Sequence, residues 1–551
     1  MSSLHSRGMN IHGKNLIAGK WQNGQMGKSF QVINPRSGEI LKPDFHEASP
    51  EHVNTAISEG LKAFDILRQT SPKQRAAFLE TLAREVESRA EAILQRAQDE
   101  TALDEPRLQM ELARTIAQPR LFAGLIREGS WVEAKIDRAE PTRKPFGRPS
   151  MRSMLQPIGP IAVFGASNFP LAISVVGTDT ICAFAAGCPV IVKAHPAHPG
   201  TCELTAEAVM AALHQHKLPA ECFSLLQGTG NETGQAIVRH PDLAAVAFTG
   251  SLTGGRAIMD AAAARKKPIP VFAEMGSLNP VFLLPEALGT RGKAIAEGFL
   301  DSLTMGVGQF CTNPGVLLAF DSPELDDFLK HVSGGIERTQ LRTMLHSGIY
   351  QNYNSILKVL CQTPGVKIHA RAGTTPKPEQ IEADTLLLET DYSTWCLRDE
   401  LRQECFGPTS VLIRIKNLKE LLNFARNMEG SLTATIHGTS TDLKGHNNLI
   451  QTLETHVGRL VYNGFPTGVE IGHATHHGGP YPVASSGGHT SIGIGSIYRF
   501  VRPVCYQNCP DEQLPPELQD NNPKGILRKV DGIMTGSEGS QLNGSISKNS
   551  F

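Results

Sequence analysis

One cysteine of this chain lies among residues that could expose and activate its thiol. Cys311 stands between small and polar residues in the segment 308–315, directly after an apolar run. Upstream, Glu274 ends a second apolar run. A thiol attacks a substrate as its thiolate, and a nearby carboxylate can move the proton. The two residues therefore predict nucleophilic catalysis by Cys311 assisted by Glu274.

The composition argues against several other classes of protein. A chain of 551 residues is expected to form two or three domains. Its net charge of −1 provides no excess positive charge for nucleic acid or an anionic membrane, so neither is predicted as a partner. Ten cysteines without a Cys-x-x-Cys pair are typical of reduced thiols in a cytoplasmic enzyme. The first eight residues lack the apolar core of a signal peptide, which also predicts a cytoplasmic protein.

The most apolar window, residues 171–192, is too interrupted for a membrane span. It contains Asp179 and is broken by Gly187 and Pro189. We therefore interpret it as a buried helix followed by a strand.

Short apolar runs alternate with helix-like segments between residues 160 and 274. The strand-like runs are 161–166, 190–194, 244–249 and 271–273. This alternation predicts a parallel sheet with helices on its faces, and ligands of such sheets lie beyond the carboxyl ends of the strands. Asn168, Lys193, Gly250 and Glu274 end or follow these runs, so they are predicted to converge.

Glu274-Met275-Gly276 and Gly308-Gln309-Phe310-Cys311-Thr312 together resemble the aldehyde dehydrogenase superfamily. The resemblance covers roughly residues 14–508. It implies an α/β fold with two parallel-sheet domains and a small β oligomerisation element. It also implies that Cys311 attacks an aldehyde, that a nicotinamide cofactor takes the hydride, and that Glu274 acts as general base in hydrolysis of the thioester.

Two further catalytic residues are suggested by this resemblance. Asn168 lies in Ala-Ser-Asn-Phe-Pro, where Ser167 replaces the family's usual Trp. The resemblance implies that its amide joins the Cys311 backbone N–H in an oxyanion hole, although an Asn in such a turn is commonly a cap. His477-Gly478-Gly479-Pro480 resembles a loop of one branch in which the His tunes the thiol. The glycines and proline around His473, His476 and His477 argue against a helical metal site, so no metal is predicted.

The cofactor residues follow from two more matching elements. Gly250, Ser251 and Gly255 match the family's Phe-Thr-Gly-Ser-x-x-x-Gly element, where the hydroxyl and a helix N-terminus meet the pyrophosphate. Glu404 and Phe406 match its Glu-x-Phe-Gly-Pro element, where the Glu binds the nicotinamide ribose and the Phe packs beside the ring.

Lys193 bears on the choice between NADP and NAD. NAD-using relatives often have a Glu three residues after this Lys, and here Pro196 occupies that place. Without that carboxylate, and with His195 nearby, the resemblance favours NADP as the cofactor and leaves NAD possible. The alternative is a solvated lysine at a strand end.

The predicted domains follow the same resemblance. Residues 1–140 and 160–290 are assigned to a cofactor-binding domain, 291–485 to a catalytic domain, and 141–159 with 486–510 to an oligomerisation β element. A strand over 490–506 would expose five apolar residues in a monomer, which predicts a homodimer or a dimer of dimers. They are Ile492, Ile494, Ile497, Phe500 and Val501. Residues 521–551, rich in Gly, Ser and Asn, are predicted to be a flexible and dispensable tail.

The substrate is predicted to be a small-molecule aldehyde. Residues 193–201 and 502–507 resemble a bacterial branch of 2-oxoglutarate semialdehyde (2,5-dioxopentanoate) dehydrogenases and NADP-dependent fatty aldehyde dehydrogenases. The first substrate is preferred and a long-chain aldehyde is the alternative. A cysteine acyltransferase or hydrolase, and an inactive binding scaffold, remain as alternatives of another class.

Overall fold

The computed structural model describes residues 11–24 and 26–536. The strands among them are β1 (Asn15–Ile17), β2 (Lys20–Gln22), β3 (Ser29–Ile33), β4 (Ile40–His46), β5 (Lys135–Asp137), β6 (Met151–Pro157), β7 (Ile161–Phe164), β8 (Val190–Lys193), β9 (Phe223–Leu226), β10 (Ala245–Thr249), β11 (Val271–Glu274), β12 (Val281–Leu283), β13 (Val316–Phe320), β14 (Lys367–Arg371), β15 (Leu386–Asp391), β16 (Thr409–Ile415), β17 (Ser431–His437), β18 (Val457–Tyr462), β19 (Val501–Gln507), β20 (Arg528–Val530) and β21 (Ile533–Thr535).

The α-helices of the described residues are α1 (Pro50–Leu67), α2 (Pro72–Glu87), α3 (Ala90–Thr101), α4 (Glu105–Glu128), α5 (Thr178–Ala186), α6 (Pro199–Gln215), α7 (Asn231–Arg239), α8 (Leu252–Ala263), α9 (Pro285–Thr304), α10 (Pro323–Glu337), α11 (Ser347–Gln362), α12 (Tyr392–Leu397), α13 (Leu418–Asn427), α14 (Ser440–Gly445) and α15 (Asn447–Leu453). None of them is both long enough and apolar enough to cross a membrane.

The first sheet has the strand order β11-β10-β7-β8-β9-β1-β2. Its strands from β11 to β9 are parallel, as the alternation of apolar runs predicts. β7 is buried along its whole length because helices cover both faces of the sheet. Glu274 lies opposite Thr249 at the ends of β11 and β10, so the predicted convergence at the carboxyl edge is confirmed for these strands.

The second sheet has the order β14-β15-β16-β13-β12-β17-β18, in which all neighbours are parallel except β14 and β15. It begins with β12, Val281–Leu283, so the predicted domain boundary at residue 291 is too late. β12 is short and fully buried, and it lies between β13 and β17 in the middle of the sheet.

A third sheet has the order β19-β6-β5-β20-β21. β19 runs antiparallel to β6, so the two segments assigned to the oligomerisation element contain strands that pair with each other within one chain. The predicted strand over 490–506 is wrong in its first half, because residues 494–500 form a 3₁₀ helix. Ile492, Ile497 and Phe500 are almost fully buried within the chain, so they are not an exposed apolar surface.

The prediction of a flexible tail from residue 521 is wrong for residues 521–536. β20 extends the third sheet by pairing in parallel with β5, and β21 pairs with β20. Ile526 and Val530 are buried against the core of the first domain, which gives this segment a fixed position. Residues 537–551 lie outside the described residues.

Candidate active site

Cys311 lies in a turn that a buried asparagine holds in place. The turn joins the 3₁₀ helix Met305–Gly308 to β13. The Nδ2 atom of Asn279 donates to the carbonyl of Cys311 at 2.8 Å and to that of Asn313 at 3.0 Å. Sequence reasoning missed Asn279. Its signal was an Asn-Pro pair directly before an apolar run, which marks a turn but reveals no partner.

Glu274 and His477 lie beside the Cys311 thiol, so the structure brings these three predicted site residues together. The Nε2 atom of His477 lies 3.5 Å from Cys311 Sγ and 3.1 Å from Glu274 Oε1. Ser491, which the sequence analysis did not identify, donates from its hydroxyl to the other oxygen of Glu274. His477 and Glu274 are almost fully buried. One imidazole nitrogen therefore contacts both the nucleophile and the carboxylate.

The protonation of the resting site follows from this environment. Burial raises the pKa of the Cys311 thiol well above its usual value, and the carboxylates of Glu274 and Glu404 raise it further. Burial also disfavours the Glu274 carboxylate, but its interactions with His477 and Ser491 outweigh burial and hold its pKa below the usual value. The resting site thus holds a neutral thiol beside an ionised carboxylate, which is ready to accept a proton.

The same three side chains are also a set of potential metal ligands. The thiol, imidazole and carboxylate atoms all lie within 4.8 Å of one another. Glu274 and His477 are already joined by a hydrogen bond, so their arrangement has a sufficient explanation without an ion. The sequence prediction of no metal stays a prediction.

Two cavities reach Cys311 from different sides. The first, here the α4 cavity, has a volume of about 550 Å³ and lies between helix α4, residues 468–471 and the rings of Phe169 and Phe310. The second, here the α8 cavity, has a volume of about 360 Å³ and is lined by the start of helix α8 together with Glu274, Glu404 and Phe406. A thiol placed between two cavities can meet a different molecule on each side.

Asn168 lies in the wall of the α8 cavity, in the loop that follows β7. Its Nδ2 atom donates to the carbonyl of Gln309 at 2.9 Å, two residues before the cysteine. The side chain is therefore fixed beside the nucleophile's turn, which is where a donor to a developing oxyanion is needed.

The glycine-rich turn at the start of α8 is closely packed against neighbouring side chains. Ser251 caps the helix, since its hydroxyl accepts from the Gly254 N–H at 3.2 Å. A Cβ on Gly255 would lie 2.4 Å from the sulfur of Met275, and one on Gly250 would lie 2.7 Å from the Phe248 ring. A side chain at either position would require the Met275 or Phe248 side chain to move. The helix N-terminus opens into the α8 cavity.

Glu404 and Phe406 both line the α8 cavity. One carboxylate oxygen of Glu404 accepts from the Ser277 N–H at 3.2 Å. Burial raises the pKa of this carboxyl to about 7. A Cβ on Gly276 would lie 2.3 Å from the other oxygen, so a side chain at this position would require the Glu404 carboxyl to move.

Lys193 ends β8 as predicted, but its amine is engaged inside the protein. The Nζ atom donates to the carbonyl of Gly228. Burial lowers the pKa of the amine to about 8. His195, two residues on, lines the α8 cavity.

Helix α4 contributes a polar stripe that sequence reasoning missed. Arg107, Glu111, Arg114 and Gln118 all line the α4 cavity. Their spacing of four, three and four residues places them on one helix face. The spacing was visible in the sequence, but a polar stripe on a helix is usually a solvated face.

Comparison with known proteins agrees with this geometry. Residues 21–347 match the model of the aldehyde dehydrogenase family. The chain is 45% identical over 525 residues to alpha-ketoglutaric semialdehyde dehydrogenase 2 of Azospirillum brasilense, which covers 95% of this chain and 99% of that relative. It is 41% identical over 493 residues to alpha-ketoglutaric semialdehyde dehydrogenase of Acinetobacter baylyi, covering 89% of this chain and 93% of the relative.

Solved structures share the fold. Betaine aldehyde dehydrogenase from Staphylococcus aureus, in a crystal structure with NAD⁺, superposes with a TM-score of 0.78 at 18% identity, covering 92% of this chain and 96% of that one. At that level of identity the likeness concerns the fold alone.

Proposed function

The chain belongs to the aldehyde dehydrogenase family, and from that premise we propose that it oxidises 2-oxoglutarate semialdehyde (2,5-dioxopentanoate) to 2-oxoglutarate with NAD(P). The observation that carries the chemistry is the position of Cys311 between two cavities, beside Glu274 and His477. The substrate is supported by the names of the two relatives above 40% identity.

The reaction begins with attack of Cys311 Sγ on the aldehyde carbon in the α4 cavity. The thiol is neutral in the resting site, so its proton must leave as the carbon–sulfur bond forms. Glu274 is the acceptor, because its carboxylate is ionised and lies within 4.8 Å of the sulfur. The aldehyde oxygen gains negative charge, and Asn168 is placed to donate to it. The product of this step is a thiohemiacetal on Cys311.

The α8 cavity fits a dinucleotide. The capped N-terminus of α8 suits a pyrophosphate, Gly250 and Gly255 keep the turn free of side chains at these positions, and the carboxyl of Glu404 suits ribose hydroxyls. A bound nicotinamide cofactor supplies the hydride acceptor that turns the thiohemiacetal into a thioester. Phe406 gives the cavity an apolar wall beside Glu404, which limits the access of water.

Hydrolysis of the thioester needs an activated water. Glu274 must first release the thiol proton to solvent, and its contacts with Ser491 and His477 favour the ionised form despite burial. The free carboxylate then accepts a proton from the water. Water then attacks the thioester carbon, the carbon–sulfur bond breaks, and the sulfur regains a proton. The carboxylic acid leaves and the free thiol is restored.

For the cofactor we propose that NADP is used at least as well as NAD. Pro196 supplies no carboxylate to repel a 2′-phosphate, and Lys193 lies at the end of β8. Lys193 must exchange its contact with the Gly228 carbonyl for a phosphate oxygen. Pro196→Glu should therefore raise the KM for NADP much more than that for NAD, because the new carboxylate repels the phosphate. Equal changes for the two cofactors would contradict the proposal.

The alternatives from the sequence are less favoured. The names of the two relatives favour a short keto acid over a long-chain aldehyde. Membership of the family favours a dehydrogenase over a cysteine acyltransferase, a hydrolase or an inactive scaffold.

The test is the absorbance of reduced cofactor with 2,5-dioxopentanoate, succinate semialdehyde and a long-chain aldehyde. We expect the highest kcat/KM for 2,5-dioxopentanoate. Cys311→Ala should abolish turnover at an unchanged Tm, whereas Cys505→Ala, at an exposed cysteine of β19, should leave it unchanged. Full activity in Cys311→Ala would overturn the mechanism, and a preference for the long-chain aldehyde would overturn the substrate.

A further inference from the structure

Two side chains of helix α4 carry donor atoms that have no partner among the described residues. Nε and Nη2 of Arg114 and Nε2 of Gln118 are buried from solvent and make no hydrogen bond within the described residues. Both side chains line the α4 cavity that reaches Cys311. Buried polar groups are nearly always hydrogen-bonded, so these donors call for a ligand.

We propose that Arg114 and Gln118 form the subsite that binds the carboxylate and the neighbouring 2-oxo group of the substrate, an inference that rests on the proposed function. Arg114 pairs with the carboxylate and Gln118 donates to the 2-oxo oxygen. The ligand class is a short aldehyde with a carboxylate at its other end, and best a 2-oxo acid.

The other two residues of the stripe, Arg107 and Glu111, already have hydrogen-bond partners within the protein. Glu111 accepts from Arg107 at 2.8 Å with one oxygen, and from the N–H groups of Leu171 and Ala172 at 2.8 and 2.9 Å with the other. Arg107 also donates to the carbonyl of Asn168. This pair is a structural link between α4 and the loop after β7, so the uncompensated charge of the stripe is that of Arg114.

An unpaired guanidinium is costly in this position. Arginine stays charged in proteins, and a charge removed from water without a counter-ion destabilises the site. A substrate carboxylate would compensate the charge, and the planar guanidinium matches a carboxylate with two parallel hydrogen bonds. The guanidinium carbon lies 5.6 Å from the centre of the Phe169 ring, a contact that restrains its orientation.

Gln118 has a fixed orientation. Its Oε1 atom accepts from the Thr178 hydroxyl, which leaves Nε2 as the group without a partner. Positions 114 and 118 lie one helical turn apart on the same face, roughly 6 Å along the axis. At that separation, the Arg114 guanidinium and the Gln118 amide can bind the carboxylate and the 2-oxo oxygen at one end of the substrate. The aldehyde at the other end then reaches Cys311.

The rest of the α4 cavity is partly apolar. Met110, Leu121, Ile173 and Ile492 also line it and can contact the carbon chain of an aldehyde. Glu470 also lines the cavity, but it is exposed and its charge is screened by solvent. The donors therefore discriminate by charge against neutral aldehydes of the same length.

The test compares variants across three aldehydes with NADP at saturation. For Arg114→Met, we expect kcat/KM with 2,5-dioxopentanoate and with succinate semialdehyde to fall roughly 10- to 100-fold, the usual effect of a lost hydrogen bond to a charged group. The loss should lie mainly in KM, and kcat/KM for pentanal should change by less than about threefold. Gln118→Leu should affect 2,5-dioxopentanoate more than succinate semialdehyde, which lacks the 2-oxo group.

Arg120→Met is the matched control, because Arg120 lies on the same helix but at the surface, paired with Glu87 at 2.8 Å. It should leave all three substrates unchanged. Binding gives a readout apart from turnover: 2-oxoglutarate should raise the Tm of the wild-type protein and not that of Arg114→Met.

The outcomes separate the two proposals. If the wild-type enzyme prefers 2,5-dioxopentanoate but Arg114→Met loses activity equally on all three aldehydes, the subsite is overturned and the proposed function stands. If the wild-type enzyme prefers pentanal, the proposed substrate is overturned together with the subsite.

Discussion

At the residue scale, His477 determines how a proton can move in the site. Its Nε2 atom contacts both Cys311 and Glu274, while Nδ1 has no partner among the described residues. Because a single nitrogen serves both partners, the ring cannot pass a proton through its two nitrogens as in a serine-protease triad. His477 instead keeps Glu274 ionised and holds it near the thiol.

Glu274→Gln should slow hydrolysis of the thioester more than its formation, because water activation needs a base and glutamine cannot accept the proton. A rapid burst of reduced cofactor followed by slow turnover is expected in stopped-flow absorbance. Ser491→Ala retains the carboxylate but removes one of its hydrogen bonds, so it should show a weaker form of the same defect. Loss of the burst would place Glu274 in thiol activation instead.

Glu404 should make cofactor binding depend on pH. Its pKa is raised to about 7, so the carboxyl is neutral below pH 7 and ionised above it. The ionised form accepts hydrogen bonds from ribose hydroxyls more strongly, so the KM for NAD should fall between pH 6 and pH 8. Compared with the wild-type enzyme, Glu404→Gln should have a higher KM for NAD at pH 8, and its KM should not change between pH 6 and pH 8. The same pH slope in the variant would show that another group is responsible.

Asn168→Ala should lower kcat roughly 10²- to 10³-fold, the usual effect of losing one oxyanion donor. Steady-state kinetics with a Tm measurement would separate this from a folding defect, since Asn168 also donates to the Gln309 carbonyl. A decrease of less than about threefold would show that the site with Ser167 in place of Trp stabilises the oxyanion by other groups.

At the scale of elements, strands β20 and β21 are part of the third sheet. Ile526 and Val530 are buried, and Arg528 donates to the carbonyls of Glu517 and Gln519. Deleting residues 525–551 should therefore lower the Tm and the soluble yield, since burial of two aliphatic side chains alone contributes about 3 kcal/mol or more. Deleting only residues 537–551 leaves the sheet complete and is the control. Equal Tm values for both deletions would contradict the structural role of β20.

At the scale of the whole molecule, two sheet edges suit a second copy of the chain. β19 and β18 are edge strands of the third and second sheets, and an open edge can pair with another strand. Tyr462 on β18 and Tyr498 just before β19 are exposed aromatic side chains near these edges.

We propose a homodimer or a dimer of dimers in which the β19 edge takes part in the contact between copies. Light scattering at micromolar concentration should give at least twice the mass of the chain. Val504→Pro, in the middle of β19, should weaken the association, because proline removes a strand donor. The exposed substitution Met26→Ala serves as the control. A fully active monomer would refute the proposal.

The sequence alone predicted a nucleophile and a base, and it determined much of the first sheet. Cys311, Glu274 and the turn at Gly250 lie in patterns formed by adjacent residues, so roles could be predicted for them, and the parallel strands are confirmed. The tertiary structure decided what depends on contacts between distant segments. Asn279 and Ser491 act through partners far away in the chain, and the buried, unpartnered state of Arg114 exists only once α4 packs against the cysteine loop. The apolar residues between 492 and 500 predicted an exposed strand, whereas Ile492, Ile497 and Phe500 are buried within the chain. Periodicity indicates which side chains need burial, but it does not indicate which surface covers them.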